Sequence, residues 1–215
     1  MLKADFHIHT EYSMDCNTSL DKIIKRCGEV GVNCITVSDH GVIEGALEMQ
    51  KRAPFKVIVA EEILTTQGEI IGMFLKEVIP SELPVSETIA RIREQGGLVC
   101  IPHPFDLIRT SALKDKVIEE IAGEIDIIEV FNARNPLPHS SAKARAFAEK
   151  HGMAMSAGSD AHTPNEIGNA WVEMPEFSGS DDFLEALRAG EITGRRTNVL
   201  NHFYSTWARV KNFRI

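Results

Sequence analysis

Short apolar runs alternate with amphipathic segments from one end of the chain to the other. The apolar runs are continuous and rich in Val and Ile, which is typical of parallel strands covered on both faces. They predict strands at residues 3–9, 34–38, 56–61, 69–75, 98–102, 125–131 and 153–157. The amphipathic segments predict helices at residues 19–30, 85–95, 112–122, 138–151 and 181–189. This order of elements predicts an α/β fold, either a βα barrel or an open sheet.

Histidines and acidic residues are concentrated where the predicted strands end, the edge at which both architectures gather their functional groups. Five of the eight histidines lie there: His7, His9, His40, His103 and His162. His7 and His9 are two residues apart in a strand, so both side chains point to one face. The same spacing recurs in Asp160 and His162. Imidazoles and carboxylates without thiolates suit divalent Zn, Mn or Fe, and their number implies two or three ions.

Composition narrows the function classes. The 215 residues carry a net charge of −8, which argues against a broad surface for long nucleic acids but leaves a small phosphorylated substrate open. No apolar run is long enough for a membrane span, and the N-terminus lacks the pattern of a signal peptide. The four cysteines show no metal-binding or disulfide spacing, so we expect reduced thiols and a cytoplasmic location.

Several motifs occur in a fixed order: His7-x-His9-Thr10, Asp15, Ser38-Asp39-His40-Gly41, Glu62, Pro102-His103-Pro104 and Gly158-Ser159-Asp160-Ala161-His162. Together they resemble the PHP (polymerase and histidinol phosphatase) superfamily, over residues 1–170. The segment 171–215 resembles the PHP-associated tail of small stand-alone members, packed on the same domain. The resemblance implies a distorted seven-stranded (β/α)7 barrel with a trinuclear metal centre at the carboxyl ends of its strands.

The resemblance also implies a ligand set. One ion would be held by His7, His9, Glu62 and Asp160. Glu62 would bridge to a second ion that His103 also binds, and a third would be held by Asp15, His40 and His162. Many members have histidine where this chain has Asp15, and a carboxylate there favours Mn or Fe over Zn. Some relatives carry a further histidine beside strand 69–75; here Glu69 is the available substitute, so the composition of the second site stays open.

The function implied is metal-dependent hydrolysis of a small phosphoester, nucleotide-like or another phosphomonoester or diester, by a hydroxide that bridges two ions. No residue is identified as the catalytic acid, although Asp160 and His162 could assist. Arg134 and Asn132, beyond a strand end, are candidate phosphate contacts, and Arg109 is a third. The alternatives left open are an amidohydrolase-type C–N hydrolase and a non-catalytic metal-binding domain.

Ordinary structural roles compete with some of these assignments. His7 and His9 could be hydrogen-bonded residues of a barrel interior, and Asp15 could be a turn residue. We expect Asp39 to orient a histidine or hold a turn rather than bind metal. Strand alternation allows only one of Glu61 and Glu62 to point inward, and the motif favours Glu62.

Overall fold

The computed structural model describes residues 1–197. Its strands are β1 (Leu2–Ile8), β2 (Cys34–His40), β3 (Lys56–Thr65), β4 (Gly68–Met73), β5 (Leu98–Ile101), β6 (Ile127–Asn132), β7 (Ala154–Gly158), β8 (Ala170–Met174) and β9 (Glu191–Gly194). Its α-helices are α1 (Leu20–Val30), α2 (Glu44–Arg52), α3 (Val85–Glu94), α4 (Asp115–Glu120), α5 (Pro138–His151) and α6 (Ser180–Arg188).

All these strands belong to one sheet, in the order β7-β6-β5-β4-β3-β2-β1-β8-β9. The sheet nearly closes, because a parallel bridge joins Ile8 to Ala161 and the amide of His9 donates to the Ala161 carbonyl at 3.0 Å. The expected α/β barrel is therefore confirmed. The described part of the chain has nine strands rather than the expected seven, since β8 and β9 pair antiparallel on the outer side of β1.

β3 and β4 form a hairpin that the sequence pattern did not indicate. β4 runs antiparallel to both β3 and β5, and the Thr65 hydroxyl donates to the Gly68 carbonyl at 2.6 Å across the turn. The prediction ended the first strand at residue 61, yet β3 continues four residues further. Its extension includes a buried carboxylate, Glu62, whose charge made the apolar run look shorter than the strand.

The sequence pattern did not indicate three elements, which are α2, β8 and β9. α2 buries only small or flexible residues, Gly45, Ala46 and Met49, so its apolar stripe is weak. β8 has five residues and β9 four, and β9 is an edge strand of the sheet. The predicted helix 112–122 is α4 followed by a single 3₁₀ turn at Ala122–Glu124. None of the helices within residues 1–197 combines the length and apolarity that crossing a bilayer requires.

A shift of register in β1 orients the first metal-ligand candidates. Ala4 and Phe6 face an interior core with Phe183 of α6, and the rings of Phe6 and Phe183 lie 5.5 Å apart. The pairing of β1 with β2 shifts between Asp5 and Ile8. Within that stretch, the side chain of His7 points into the interior of the barrel, where it is hydrogen-bonded to Glu129 of β6. The interior therefore changes from apolar to polar along a single strand.

Buried Asp5 ties the closure of the barrel together. Its carboxylate accepts hydrogen bonds from the backbone amides of Ser159 at 2.8 Å and Gly168 at 3.1 Å. Burial raises the pKa of Asp5 to about 6, although these amides act in the opposite direction. Asp5 thus connects β1 to the loop after β7, which carries the Asp160 and His162 candidates.

We predict that Gly158→Ala destabilises the fold at this closure. A Cβ at Gly158 would lie 2.3 Å from the Cβ and 2.9 Å from the backbone nitrogen of His7, neither of which can move without shifting β1. Overpacking of this kind costs about 1–3 kcal/mol of unfolding free energy, measurable by urea denaturation.

The matched control for this prediction is Gly28→Ala in α1, where an added Cβ meets nothing within 4 Å. Replacing a helical glycine with alanine should raise the unfolding free energy by about 0.5–1 kcal/mol. Equal denaturation midpoints for the two variants would contradict the close packing of β1 against β7.

Candidate metal centre

The eight candidate ligands come together at one end of the barrel, although they are contributed by separate segments of the chain. β1 carries His7, β2 ends with His40, and β3 carries Glu62. The loops after β1, β5 and β7 supply the others: His9, Asp15, His103, Asp160 and His162. Seven of the eight are buried and His40 is partly buried. The nitrogen and oxygen atoms of seven of the eight, together with those of Glu69, form three groups that share members.

The first donor group contains His7, His9 and Glu62. The Nε2 atoms of the two histidines are 3.1 Å apart, and Glu62 Oε2 lies 3.2 Å from His7 and 3.3 Å from His9. Asp160 Oδ1 approaches the same nitrogens at 3.8 and 3.5 Å. These are the four residues expected around one ion.

The second donor group contains Glu62, Glu69 and His103. Glu62 Oε1 is 2.8 Å from His103 Nε2, and Glu69 Oε2 is 3.5 Å from the same nitrogen. Glu69 Oε1 also lies 3.9 Å from His40 Nδ1. The hydroxyl of Ser111 donates to Glu69 Oε2 at 2.6 Å and fixes the carboxylate. Glu69 therefore stands at the position that the sequence left open.

The third donor group contains His9, Asp15, His40 and His162. Asp15 Oδ2 lies 3.4 Å from His40 Nε2 and 3.1 Å from His162 Nε2. The hydroxyl of Ser13 donates to Asp15 Oδ1 at 2.8 Å, so the carboxylate is held within its polar loop. His9 belongs to both the first and the third group, which places the three groups side by side.

The arrangement fits divalent cations. In a neutral pair, one proton can lie between the His7 and His9 Nε2 atoms, and Glu62 Oε2, which approaches both nitrogens, then receives no proton from either of them. Asp160 Oδ1 is buried and has no hydrogen-bond donor among the described residues. A cation between imidazole nitrogens and carboxylate oxygens satisfies all of these atoms at once, and nitrogen with oxygen donors suits Zn, Mn or Fe.

The carboxylates of the centre are held in their charged form. Burial disfavours the Glu62 charge, but His7 and His40 outweigh burial and lower the pKa of Glu62 well below its usual range. For Asp160, burial is outweighed by Arg109 and His7, and its pKa is also lowered well below the ordinary value.

The same charges act on the histidines. Burial opposes protonation of His9, yet Asp160 and Glu62 raise its pKa to about 10. Burial and the neighbouring His9 lower the pKa of His162 to about 4, so His162 is neutral and available as a ligand. Protons and divalent cations therefore compete for the first donor group, and cation binding there releases protons.

Two ligand candidates have unusual backbone conformations. His103 has a φ of 31° and Asp160 a φ of 53°, in the left-handed region that non-glycine residues rarely adopt. The His103 amide donates to Glu129 Oε2 at 2.6 Å, which helps to hold its loop in this conformation. Such strain is concentrated at functional sites and persists where surrounding contacts enforce it.

Glu129 of β6 is a functional candidate that the sequence analysis missed. Its Oε1 accepts from His7 Nδ1 at 3.1 Å, and its Oε2 also accepts from Asn132 Nδ2 at 2.9 Å. A carboxylate on Nδ1 leaves the Nε2 lone pair of a histidine free for a metal. An acidic residue inside an otherwise apolar strand is the signal that could have identified it.

The neighbouring acidic residues have structural contacts. Asp39 accepts from the amide and the hydroxyl of Thr10, both at 2.6 Å, and so holds the turn after β1. Glu61 accepts from the Ile79 amide at 2.8 Å and is absent from the three donor groups. Cys16 is buried beside the centre, where its thiol donates to the His162 carbonyl and burial raises its pKa to about 12.

Two arginines adjoin the donor groups. Arg134 is buried, with Nη1 2.7 Å from His162 Nδ1 and Nε 3.4 Å from Glu166 Oε1. Arg109 donates to Asp160 Oδ2, which also accepts from Asn132 Nδ2 at 3.3 Å. The three residues expected to contact phosphate therefore lie within reach of Asp160 or His162.

The other three histidines and two arginines near the C-terminal end of the described chain are not among the donor groups. His139 and His151 are at the two ends of α5, and His202 lies outside the described residues. Arg195 and Arg196 bond to the Asn169 side chain and the Asn135 carbonyl.

Solved structures share this fold. A two-domain Bacteroides vulgatus protein predicted to contain a PHP-like metal-dependent phosphoesterase is 19% identical, with a TM-score of 0.69 over 94% of this chain and 69% of that one. A proposed metal-dependent phosphoesterase of Bifidobacterium adolescentis is 15% identical, with a TM-score of 0.65 over 92% and 98%. An amidohydrolase of Chromobacterium violaceum with bound sulfate is 16% identical, with a TM-score of 0.63 over 89% and 97%.

Sequence comparisons identify the family. The uncharacterized protein MJ0417 of Methanocaldococcus jannaschii is 34% identical over 220 residues, which cover 95% of this chain and 88% of that protein. The family model of the PHP domain matches residues 5–73, and the PHP-associated model matches residues 138–192. The chain belongs to the PHP family.

Proposed function

We propose that this protein is a metal-dependent phosphoesterase that hydrolyses a small phosphorylated substrate. The observation that carries the proposal is the contact between three overlapping groups of cation ligands and two guanidinium groups. The donor groups share His9 and Glu62, and Arg109 and Arg134 border the same cluster. Cation ligands next to guanidiniums suit a phosphoryl group, because the negative charge on its several oxygens is stabilised by positive groups placed around it.

The proposed cofactors are two or three divalent ions, Mn, Fe or Zn, held by the three donor groups. Bound ions of this kind supply an activated water near neutral pH and neutralise charge on the phosphoryl oxygens. Glu69 gives the second donor group a carboxylate ligand and Asp15 gives the third one, which favours Mn or Fe over Zn.

The protein's own side chains would bind and orient the substrate. Arg134 is buried and fixed by Glu166, so it can present its planar donors without losing further side-chain freedom. Arg109 is partly exposed and can reach a phosphate that enters from solvent. Asn132, held by Glu129, completes the set of donors. Assistance from Asp160 or His162 in proton transfer would compete with their binding of an ion.

We also propose that the protein acts on a small-molecule substrate in a reducing compartment. The four cysteines are buried and unpaired, which suits the cytoplasm. We also propose that residues 171–215 belong to the same domain as residues 1–170. β8 and α6 lie in this segment, and β8 pairs with β1; residues 198–215 lie outside the described part.

We predict that replacing His7 and His9 together with alanine abolishes phosphoesterase turnover. The variant loses two nitrogens of the first donor group, and we expect a fall of at least about 100-fold, the upper range for loss of a residue behind a ligand. The measurement is phosphate release from mononucleotides, bisphosphorylated nucleosides and sugar phosphates by Mn-loaded protein.

His151→Ala at the far end of α5 is the matched control and should retain activity. Phosphate release that survives loss of both His7 and His9 would contradict the proposal. Release of ammonia or amine instead of phosphate would favour C–N hydrolysis. Absence of turnover after Mn or Fe loading, with less than about one ion per chain, would indicate a non-catalytic domain.

A second prediction concerns Glu69. The Glu69→Gln variant should lose about one equivalent of bound Mn per chain, because a neutral amide is a poor replacement for the carboxylate of the second donor group. Elemental analysis after gel filtration measures the loss. Glu94→Gln on the exposed side of α3 should bind as many ions as the parent protein, and an equal count in all three proteins would exclude Glu69 as a ligand.

A third prediction concerns Glu129, which lies behind His7. Glu129→Gln should weaken Mn binding by about 10–100-fold, because an amide no longer enforces the His7 tautomer with a free Nε2. Titration against a fluorescent chelator measures the affinity. Glu173→Gln, at the exposed position of β8, serves as the control; if both variants lose the same affinity, the contact with His7 is not the cause.

A further inference from the structure

Large apolar side chains are exposed on the segments that carry or contact the metal centre. In residues 1–197, the exposed large hydrophobics are Met1, Tyr12, Met14, Leu64, Val78, Leu107 and Ile108. Four of them, Tyr12, Leu64, Leu107 and Ile108, belong to three separate segments that also carry or contact the donor groups. We call these four residues the apolar rim.

Leu64 is directed to the side of the sheet that faces the metal centre. It is two residues after Glu62 in β3, and residues at this spacing share a face of a strand. Its cross-strand partner is Glu69 of the second donor group. The side chain of Leu64 is 37% exposed, whereas Glu62 and Glu69 are buried.

Leu107 and Ile108 are at the tip of the loop between β5 and α4. Their side chains are 79% and 63% exposed. The loop is anchored on both sides of this tip, because the Phe105 carbonyl accepts from the Ser140 hydroxyl of α5 at 2.9 Å and Arg109 donates to Asp160. The apolar tip is therefore held beside the first donor group.

Tyr12 lies in the loop between β1 and α1, between His9 and Asp15. Its amide donates to the Thr10 hydroxyl at 3.1 Å, and Thr10 is held by Asp39. The ring is 44% exposed. This places an aromatic side chain in the same short loop as a ligand candidate of the third donor group.

The ends of β6 and β7 are polar, because Asn132 is the last residue of β6, Arg134 lies two residues beyond it and His162 follows β7. This end of the barrel thus combines cation ligands and guanidiniums with apolar side chains from three segments. Exposed apolar surface next to a cluster of charged and metal-ligating groups is typical of a ligand-binding surface. Its occupant needs a phosphate at one end and an apolar part at the other.

We propose that the apolar rim binds the alcohol portion of the substrate and selects alcohols that carry a flat apolar ring. The inference rests on the proposed phosphoesterase function and specifies its substrate class. A ring suits this surface because the Tyr12 face can stack on it while Leu64, Leu107 and Ile108 contact its other atoms. The rim contributes binding energy, and the donor groups and arginines hold the phosphate.

The test compares benzyl phosphate with 2-hydroxyethyl phosphate, using Mn-loaded protein. Both substrates release a primary alkoxide, so their difference is the ring. We expect kcat/KM to be about tenfold higher for benzyl phosphate, from the apolar area that the ring buries. The double variant Leu107→Ser/Ile108→Ser and the variant Tyr12→Ala should each reduce this ratio severalfold.

Val78→Ser is the matched control. Val78 is exposed, but it precedes Ile79, whose amide bonds to Glu61, the carboxylate outside the donor groups. This variant should keep the parent ratio. A ratio near one in the parent protein, or a ratio that the rim variants leave unchanged, would overturn the inference while phosphate release still supports the proposed function.

Binding of phosphonates separates the two proposals. Benzylphosphonate and methylphosphonate are not hydrolysed, and calorimetry should give tighter binding of the benzyl compound in the parent protein but not in the rim variants. If the benzyl compound binds more tightly but no ester releases phosphate, the result would support ring binding by the apolar rim and refute the phosphoesterase function. If sedimentation shows a dimer that the rim substitutions dissociate while the benzyl preference persists, the rim is a subunit interface and the inference is wrong.

Discussion

The metal centre depends on one buried carboxylate, Glu62. Its oxygens lie 2.8 Å from His103, 3.2 Å from His7, 3.3 Å from His9 and 3.6 Å from His40, and the side chain is inaccessible to solvent. Moving an unpaired carboxylate out of water costs several kcal/mol, so this position is tolerated only among positive charges. The surrounding histidines supply that charge when protonated, and a divalent cation supplies it without requiring protons. The same constraint explains why so many imidazoles converge on one residue.

The backbone meets this constraint by bringing β1 and β7 unusually close. Gly158 leaves room for His7, and Asp5 joins the two strands through the Ser159 and Gly168 amides. The shift of register in β1 then allows a strand with an apolar first half to carry a metal-ligand candidate in its second half. Stability and function are therefore coupled here, since the contacts that close the barrel also set the position of the first donor group.

The sequence predicted most of the ligand candidates because their signal is local. Two histidines or an acid and a histidine at strand spacing can be recognised without knowing what lies opposite, and the motif order supplied the rest. Glu129 and the exact place of Glu69 required tertiary information. The acidic residue in the apolar strand β6 marks Glu129 as unusual, but its contact with His7 appears only in the folded chain, and the place of Glu69 appears only once the β3–β4 hairpin sets it opposite Leu64. The fold was predictable for the same reason in its buried strands, whereas β8 has only five residues and the edge strand β9 has four, none of them buried.

The charge balance links the proposed cofactors to the proposed substrate. The Asp160 carboxylate is paired with Arg109, and burial makes that pair costly to break unless another positive charge replaces the guanidinium. Under the proposed function, a divalent ion held by the first donor group would supply such a charge and would leave the guanidinium of Arg109 available to a phosphate. We therefore expect ion binding and phosphate binding to be coupled, because the ion and Arg109 would share the Asp160 carboxylate.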